Sequence, residues 1–129
     1  MNKPKILIID DDTDLRRALH IRLRSHGYDT VFAGDGLDAI KTALREMPDL
    51  ILLDLGLPAG DGFVVMERLK KNTLLSCIPV IVLTARELRG NLDKSLAAGC
   101  FAFFQKPADN GDLMSAVERA LKQSGALLQ

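Results

Sequence analysis

Five short, mostly apolar runs, each separated from the next by a longer amphipathic stretch, limit what this chain can fold into more than any other feature. The runs span residues 5–9, 28–33, 50–53, 80–83 and 101–104. Continuous apolarity, as opposed to strict alternation, predicts strands that are covered on both faces, as in a parallel sheet. The run at residues 28–33 alternates more than the others, which predicts that it lies at an edge of the sheet.

The stretches between the runs carry apolar residues at helical spacing. The five predicted stripes are Leu15, Ala18, Leu19 and Leu23; Leu37, Ile40, Leu44 and Met47; Phe63, Met66 and Leu69; Leu88, Leu92, Ser95 and Leu96; and Leu113, Ala116, Val117, Ala120 and Leu121. Gly27, Pro48 and Gly99 fall where helices should end. Five strand–helix units are too few for an eight-stranded barrel, so they predict an open, doubly wound α/β fold with a five-stranded parallel sheet.

Composition excludes several classes of function. The chain has 17 basic and 17 acidic side chains among 129 residues, and this zero net charge argues against direct nucleic-acid binding by bulk attraction to phosphates. No apolar run approaches the roughly 20 residues that cross a bilayer, and no signal peptide is recognisable. We therefore expect a cytoplasmic protein without a membrane partner, in which Cys77 and Cys100 are reduced. The length predicts a single domain over residues 1–129, with a core at 5–122 and a tail at 123–129.

Polar residues that directly follow the apolar runs predict a site at one edge of the sheet. Asp10 and Asp11 follow the first run, Asp54 the third, Thr84 the fourth and Lys106 the fifth. Ligands of open α/β sheets bind at the carboxyl ends of the strands. Two carboxylates ~4 Å apart repel by about 4 kcal/mol at an effective dielectric constant of 20, so a converging cluster requires a proton or a cation. Oxygen ligands favour Mg²⁺, and an adjacent lysine and threonine are typical of phosphoryl binding.

Motifs at these strand ends resemble those of the receiver domain of two-component response regulators. They occupy residues 6–12, 49–58, 61–62, 79–85, 98–99 and 106–107. The resemblance covers residues 5–122, nearly the whole chain, and the order and spacing of the motifs make it specific. It implies a flavodoxin-like receiver fold with five helices and the strand order 2-1-3-4-5, an order known from the chemotaxis member of the family.

The resemblance also implies a phosphorylation site. It assigns Asp54 as the acceptor of a phosphoryl group from a sensor histidine kinase or a phosphotransfer protein. Asp11 would bind Mg²⁺ directly, Asp10 would act on the ion through water, and the backbone carbonyl of Gly56 would complete the metal site together with Asp54. Mn²⁺ is the alternative ion. Such a domain is a signalling phosphoacceptor and not an enzyme.

Further residues are assigned to the switch by the same resemblance. The Thr84 hydroxyl and the backbone N–H of Ala85 would bind the phosphoryl group, and Lys106 would pair with its oxygens. The peptide between Lys106 and Pro107 is expected to be cis. Phe103 would be the switch aromatic, although Phe101 shares its alternation phase and either residue can be a core residue.

Signalling is expected to pass through the face formed by the fourth helix, the fifth strand and the fifth helix. The sequence shows neither the output partner nor an effector domain, and it leaves open a homodimer formed on phosphorylation. Asp12 is expected to cap the first helix, and Asp61 and Gly62 are expected to form a turn and cap. Gly90 should weaken the start of the fourth helix.

Two alternatives remain at this point. Residues 10–14 resemble the DxDxT signature of haloacid-dehalogenase-type phosphatases, which also use Mg²⁺ and a lysine. The threonine, Thr13, stands one place too early, however, the chain is short for that fold, and Asp54 would have no role. The second alternative is a receiver fold used only for binding, against which the complete set of acidic pair, Asp54, Thr84 and Lys106 argues.

Overall fold

Five parallel strands form one sheet in the order β2-β1-β3-β4-β5 in the computed structural model, which describes residues 3–57 and 61–127. The elements are β1 (Lys5–Ile9), α1 (Thr13–Ser25), β2 (Asp29–Ala33), α2 (Gly36–Glu46), β3 (Leu50–Leu53), α3 (Gly62–Lys71), β4 (Val80–Thr84), α4 (Leu88–Ala97), β5 (Ala102–Gln105) and α5 (Asn110–Gln123). The predicted doubly wound α/β fold and its strand order are confirmed, and β2 lies at an edge. Pro58, the last residue of the motif at 49–58, lies outside the described residues, as do the ends of the predicted domain.

Two apolar clusters cover the two faces of the sheet, which explains why the strands are apolar without alternation. Successive residues of a strand point to opposite faces. In β1, Leu7 and Ile9 join one cluster with α2 and α3, and Ile6 and Ile8 join the other cluster with α1 and α5. Every residue of β3 is at most 2% exposed. Each such Leu or Ile stabilises the fold by about 1.5–3 kcal/mol relative to an exposed side chain.

The predicted stripes of α3 and α5 are confirmed, but the stripe predicted for α2 is correct only at Ile40, which packs against the core. Ala39 and Ala43 are completely buried against the sheet. Leu37 is 69% exposed, and Leu44 and Met47 are 40% and 46% exposed. Both sets of residues have helical spacing, so periodicity alone does not choose between them. The alanines form the inner face because their small side chains leave room for the helix to lie close to the strands.

The stripe predicted for α4 is confirmed only in part: its member Ser95 is the one buried residue of this helix, and Leu92 is partly buried. Leu88 and Leu96 are about half exposed, at 47% and 50%. The helix begins with a kink at Arg89 and Gly90, and Gly90 has a φ of +80°. Glycine adopts this left-handed conformation without steric cost, which agrees with the expected weak start of the helix. A kinked helix with one buried side chain is held loosely to the sheet.

Two expectations about chemistry outside the site can also be compared with the structure. Cys77 and Cys100 are free thiols, the first exposed and the second buried. Within residues 3–57 and 61–127, no helix combines the length and the apolarity needed to cross a bilayer.

Candidate functional site

Three carboxylates meet at the carboxyl ends of β1 and β3. Asp10 and Asp11 follow β1, Asp54 follows β3, and the two strands are neighbours, with Ile9 paired to Leu53. One oxygen from each of the three side chains lies within 4.8 Å of the others. The sheet order therefore brings together residues that are more than forty positions apart in the sequence. Three acidic side chains this close need a compensating positive charge.

Two of the carboxylates are buried and held in place by backbone N–H groups. Asp10 is 3% exposed and Asp54 is 8% exposed, whereas Asp11 is exposed to solvent. Oδ1 of Asp10 accepts a hydrogen bond from the N–H of Asp12 at 2.9 Å. Oδ1 of Asp54 accepts one from the N–H of Gly56 at 3.0 Å. Each buried carboxylate thus has one oxygen fixed by the backbone and the other available to a cation.

Lys106 supplies the positive charge at this cluster. Its Nζ lies 2.8 Å from Oδ2 of Asp10 and 3.5 Å from Oδ2 of Asp54. Lys106 follows β5, and its backbone N–H donates to the carbonyl of Thr84 at 2.7 Å, so its long side chain extends across the end of β4. The pairing with Asp10 joins residues 96 positions apart. The sequence predicts carboxylates around one lysine but does not predict this specific contact.

The pKa values of Asp10 and Lys106 are both raised in this cluster. Burial raises the pKa of Asp10, the charge of Asp54 adds to the rise, and the hydrogen bonds from Lys106 and Asp12 offset it only in part. Burial alone would lower the pKa of Lys106, but its hydrogen bond to Asp10 and the charges of Asp10 and Asp54 outweigh burial and raise it. Both groups therefore hold protons more strongly than usual, Asp10 because it is buried and Lys106 because two carboxylates face its ammonium group.

The raised pKa of Lys106 predicts a loss of stability at high pH. A basic group whose pKa is higher in the folded protein than in the unfolded protein stabilises the fold. This stabilisation is complete when the pH is below the pKa of the unfolded state, here 10.5, and it disappears as the pH rises through the pKa of the folded state. We expect the difference in melting temperature between the wild-type protein and Lys106→Met to shrink as the pH is raised above 10.5. Thermal unfolding of both proteins across this range measures it. A difference that stays constant with pH would contradict the assignment.

Thr84 lies at the end of β4, next to the strand that carries Asp54. Its side chain is 1% exposed, and its Oγ1 accepts a hydrogen bond from the N–H of Arg86 at 3.3 Å. Ala85 between them is exposed. The Arg86 guanidinium lies 3.4 Å from Oδ2 of Asp61 and above the ring of Phe63, so the loop after β4 is tied to the start of α3.

Phe103 and Phe101 pack on opposite sides of the sheet. Phe103 is half-buried, pairs with Val82 across β4 and β5, and packs against the cluster on the α2 and α3 side. Phe101 packs against the other cluster. Their equal alternation phase suggested one common face, but β5 begins at Ala102, so Phe101 precedes the strand and does not follow its alternation.

The remaining predicted features of the site are local. Asp12 caps α1 by accepting from the N–H groups of Asp14 and Leu15, and Asp61 caps α3. The peptide bond between Lys106 and Pro107 is cis. The strand ends thus bring together three carboxylates, an ammonium group and a buried hydroxyl, a set that can bind a cation and a phosphoryl group together.

Known proteins are similar to this chain over nearly its whole length. The family model of the response regulator receiver domain matches residues 6–118. A probable transcriptional regulator, ycf27 of Porphyridium aerugineum, is 37% identical over 123 residues, which are 95% of this chain and 50% of the relative. The DNA-binding dual master transcriptional regulator RpaA of Synechocystis is 36% identical over 126 residues, which are 98% of this chain and 52% of the relative. The chain thus spans about half the length of these curated relatives.

Solved structures agree with the sequence relatives. The signal receiver domain of a putative Luxo repressor protein from Vibrio parahaemolyticus has a TM-score of 0.90 at 28% identity, covering 97% of this chain and 95% of that one. The receiver domain of the sensor histidine kinase PA1611 from Pseudomonas aeruginosa has a TM-score of 0.82 at 28% identity, covering 96% of this chain and 99% of that one. That second structure has a magnesium ion coordinated in its active site cleft.

Proposed function

The chain belongs to the response regulator receiver domain family, the phosphoacceptors of two-component signalling, and on this premise we propose that Asp54 accepts the phosphoryl group. The observation that carries the proposal is the position of Asp54: it is a buried carboxylate that shares one cation, Lys106, with a second buried carboxylate. A phosphatase of the haloacid-dehalogenase type is not supported, because both the family match and the fold are those of receivers.

In the proposed step, a carboxylate oxygen of Asp54 attacks the phosphorus of a phosphohistidine or of a small acyl phosphate. A new oxygen–phosphorus bond forms, and the leaving group departs with the electron pair of the bond that breaks. Lys106 already lies 3.5 Å from Asp54 and can neutralise the phosphoryl oxygens from there. The Thr84 hydroxyl and the Ala85 N–H, at the end of the adjacent strand, would donate the remaining hydrogen bonds.

The donor set also fits a magnesium ion. Mg²⁺ prefers oxygen ligands and accepts one or two carboxylates while retaining water, and three carboxylate oxygens lie within 4.8 Å of one another here. We assign Asp11, Asp54 and the Gly56 carbonyl as its ligands and Asp10 as a neighbour that acts through water, with Mn²⁺ as the alternative ion. When bound, the ion would neutralise negative charge on the transferred phosphoryl group. The magnesium ion in the Pseudomonas receiver supports this assignment.

Phosphorylation would add about one negative charge to the cluster and switch the neighbouring face. Thr84 would move toward the phosphoryl group, and Phe103 would turn inward to occupy the space that it leaves. The face formed by α4, β5 and α5 would then present a new surface to the output partner. The loose attachment of α4, with only Ser95 buried, supports a change at this face.

The proposed partners follow from the same role. A sensor histidine kinase or phosphotransfer protein would donate the phosphoryl group in the cytoplasm. The output would be a separate protein or an effector domain, since the curated relatives that are transcriptional regulators are about twice as long as this chain. A homodimer formed on phosphorylation is the alternative output. The domain itself would signal without turning over a substrate.

Asp54→Asn should abolish phosphoryl uptake. We expect the wild-type protein, incubated with Mg²⁺ and acetyl phosphate, to gain the mass of one phosphoryl group, and the variant to gain none because an amide is not a nucleophile toward phosphorus. Intact-protein mass spectrometry measures both. The matched control is Asp38→Asn, which changes an exposed aspartate in the first turn of α2 and should label like the wild type. Equal labelling of Asp54→Asn would overturn the assignment.

Mg²⁺ should stabilise the folded protein through Asp11. A ligand at about ten times its dissociation constant stabilises the fold by about 1.4 kcal/mol, which thermal unfolding resolves. We expect this gain for the wild type and little of it for Asp11→Asn. Asp14→Asn, which changes an exposed aspartate of the first turn of α1, should respond like the wild type. If Mg²⁺ stabilised the Asp11→Asn protein as much as the wild type, Asp11 would not be a ligand of the metal.

A further inference from the structure

A second concave site lies between α1 and the edge strand β2, and we propose that it binds a phosphate-bearing anion. It is a cavity of about 350 Å³ lined by Thr13, Arg16, Arg17, His20 and Phe32. Three of these five side chains are basic, the hydroxyl of Thr13 can donate a hydrogen bond, and none of them is acidic. The cavity shares no residue with the carboxylate cluster, and its charge is of the opposite sign.

Two of the basic side chains of this cavity, Arg16 and His20, are held in position before any ligand binds. The guanidinium carbon of Arg16 lies 5.5 Å from the centre of the Phe32 ring. The guanidinium of Arg16 also lies beside Gly34, since a methyl group added to the Cα of Gly34 would be 3.8 Å from its Nη1. Nδ1 of His20 hydrogen-bonds to the Thr30 hydroxyl, and its ring lies beside the Phe32 ring. Arg16 and His20 are half-buried, so an anion would find hydrogen-bond donors whose conformational freedom is already restricted.

The positive charge of the cavity is not neutralised by the protein. Neither Arg16 nor Arg17 forms an ion pair with a carboxylate among residues 3–57 and 61–127. The helix α1 carries four arginines and one aspartate, although the whole chain has a net charge of zero. This part of the surface is therefore distinctly basic, and a bound anion would supply the missing counter-charge.

The shape of the donors favours phosphate over other anions. A guanidinium group presents two parallel N–H donors that match two phosphate oxygens, and two arginines and a histidine can together contact all the oxygens of one phosphate. Phe32 is 37% exposed and forms an apolar wall beside these donors. A cavity of this size lies at the lower end of the range for small-molecule sites, about 300–1,000 Å³. These features suit a phosphate monoester of the size of a mononucleotide.

The test is a calorimetric titration of the full chain with inorganic phosphate and with adenosine monophosphate. We expect at least one of these probes to bind the wild type with a dissociation constant of about 1 mM or below. The double change Arg16→Gln and Arg17→Gln should weaken that binding by about tenfold or more. The matched control is Arg22→Gln with Arg24→Gln, which removes the same charge from α1 outside the cavity and should change binding by less than about twofold. If the double variant melts early, Arg17→Gln alone, at an exposed position, provides the same comparison.

Three results would overturn the proposal. In the first, the folded wild type binds neither probe. In the second, the two arginine double variants lose binding equally. In the third, the wild type binds an acidic peptide or an RNA but neither probe. Because no residue of the cavity takes part in phosphoryl uptake as proposed above, failure here leaves the role of Asp54 unaffected.

Discussion

Gly62→Ala is expected to destabilise the fold by about 3 kcal/mol or more and to lower the melting temperature by about 10 °C or more. A Cβ at this position would stand 2.4 Å from Cα of Leu55 and 2.7 Å from the carbonyl oxygen of Asp54. Both are backbone atoms, so no side-chain rotation relieves the clash. The N–H of Gly62 also donates to the carbonyl of Leu55 at 3.0 Å, which ties the first turn of α3 to the segment that follows Asp54.

Gly34→Ala is the matched control for this substitution. The same methyl group at Gly34 would meet only Nη1 of Arg16, at the ordinary contact distance of 3.8 Å. Thermal unfolding should therefore distinguish the two variants clearly, although both lose one glycine. If the two variants had the same melting temperature, the close approach of Gly62 in α3 to the backbone at Asp54 would be contradicted.

Lys106→Met is expected to cost about 2–3 kcal/mol of stability at neutral pH and also to reduce phosphoryl uptake. The substitution leaves Asp10, which is 3% exposed, without its cation, and an uncompensated buried charge is strongly destabilising. The cost is limited because the Lys106 side chain is 21% exposed, so water already reaches the pair in the wild-type protein. Denaturant unfolding measures the stability, and labelling by acetyl phosphate measures the uptake.

Lys71→Met provides the comparison for Lys106→Met. Lys71 forms an ion pair with Glu67 one turn earlier in α3, at 2.6 Å, but both side chains are mostly exposed. We expect no resolvable loss of stability from this change, since exposed pairs contribute little. If Lys106→Met were as stable and as readily labelled as Lys71→Met, the ammonium group would not be the element that holds the carboxylate cluster together.

The parts of the fold that were predicted correctly are those that depend on short-range patterns. Continuous apolar runs predicted four of the strands, since strands covered on both faces carry little polar alternation, and a more alternating run predicted the edge strand β2. The helix faces were harder to predict. In α2, Leu37 and Leu44 of the predicted stripe are exposed to solvent, and the face with Ala39 and Ala43 lies on the sheet. Periodicity measures the spacing of apolar residues, whereas the choice of face depends on the room left by the neighbouring strands.

The candidate site also has features that the sequence predicts and features that it does not. The carboxyl ends of parallel strands all lie on the same side of the sheet. The sequence therefore predicts that one edge of the sheet carries Asp10, Asp54, Thr84 and Lys106. The sequence does not predict the ion pair between Lys106 and Asp10 at 2.8 Å. This contact joins the ends of β1 and β5 across 96 residues, and no local sequence pattern indicates it. The ion pair of Arg86 with Asp61 is a second contact of this kind, between segments 25 residues apart.

The most direct test of the central claim is to locate the phosphoryl group chemically. Borohydride reduces an aspartyl phosphate to homoserine, so the protein should be labelled with acetyl phosphate and Mg²⁺, reduced, digested and sequenced by mass spectrometry. We expect homoserine at position 54 and at no other aspartate, and none when the acetyl phosphate is omitted. Homoserine at position 10 or 11, or a phosphoryl group that leaves no homoserine at position 54, would contradict it.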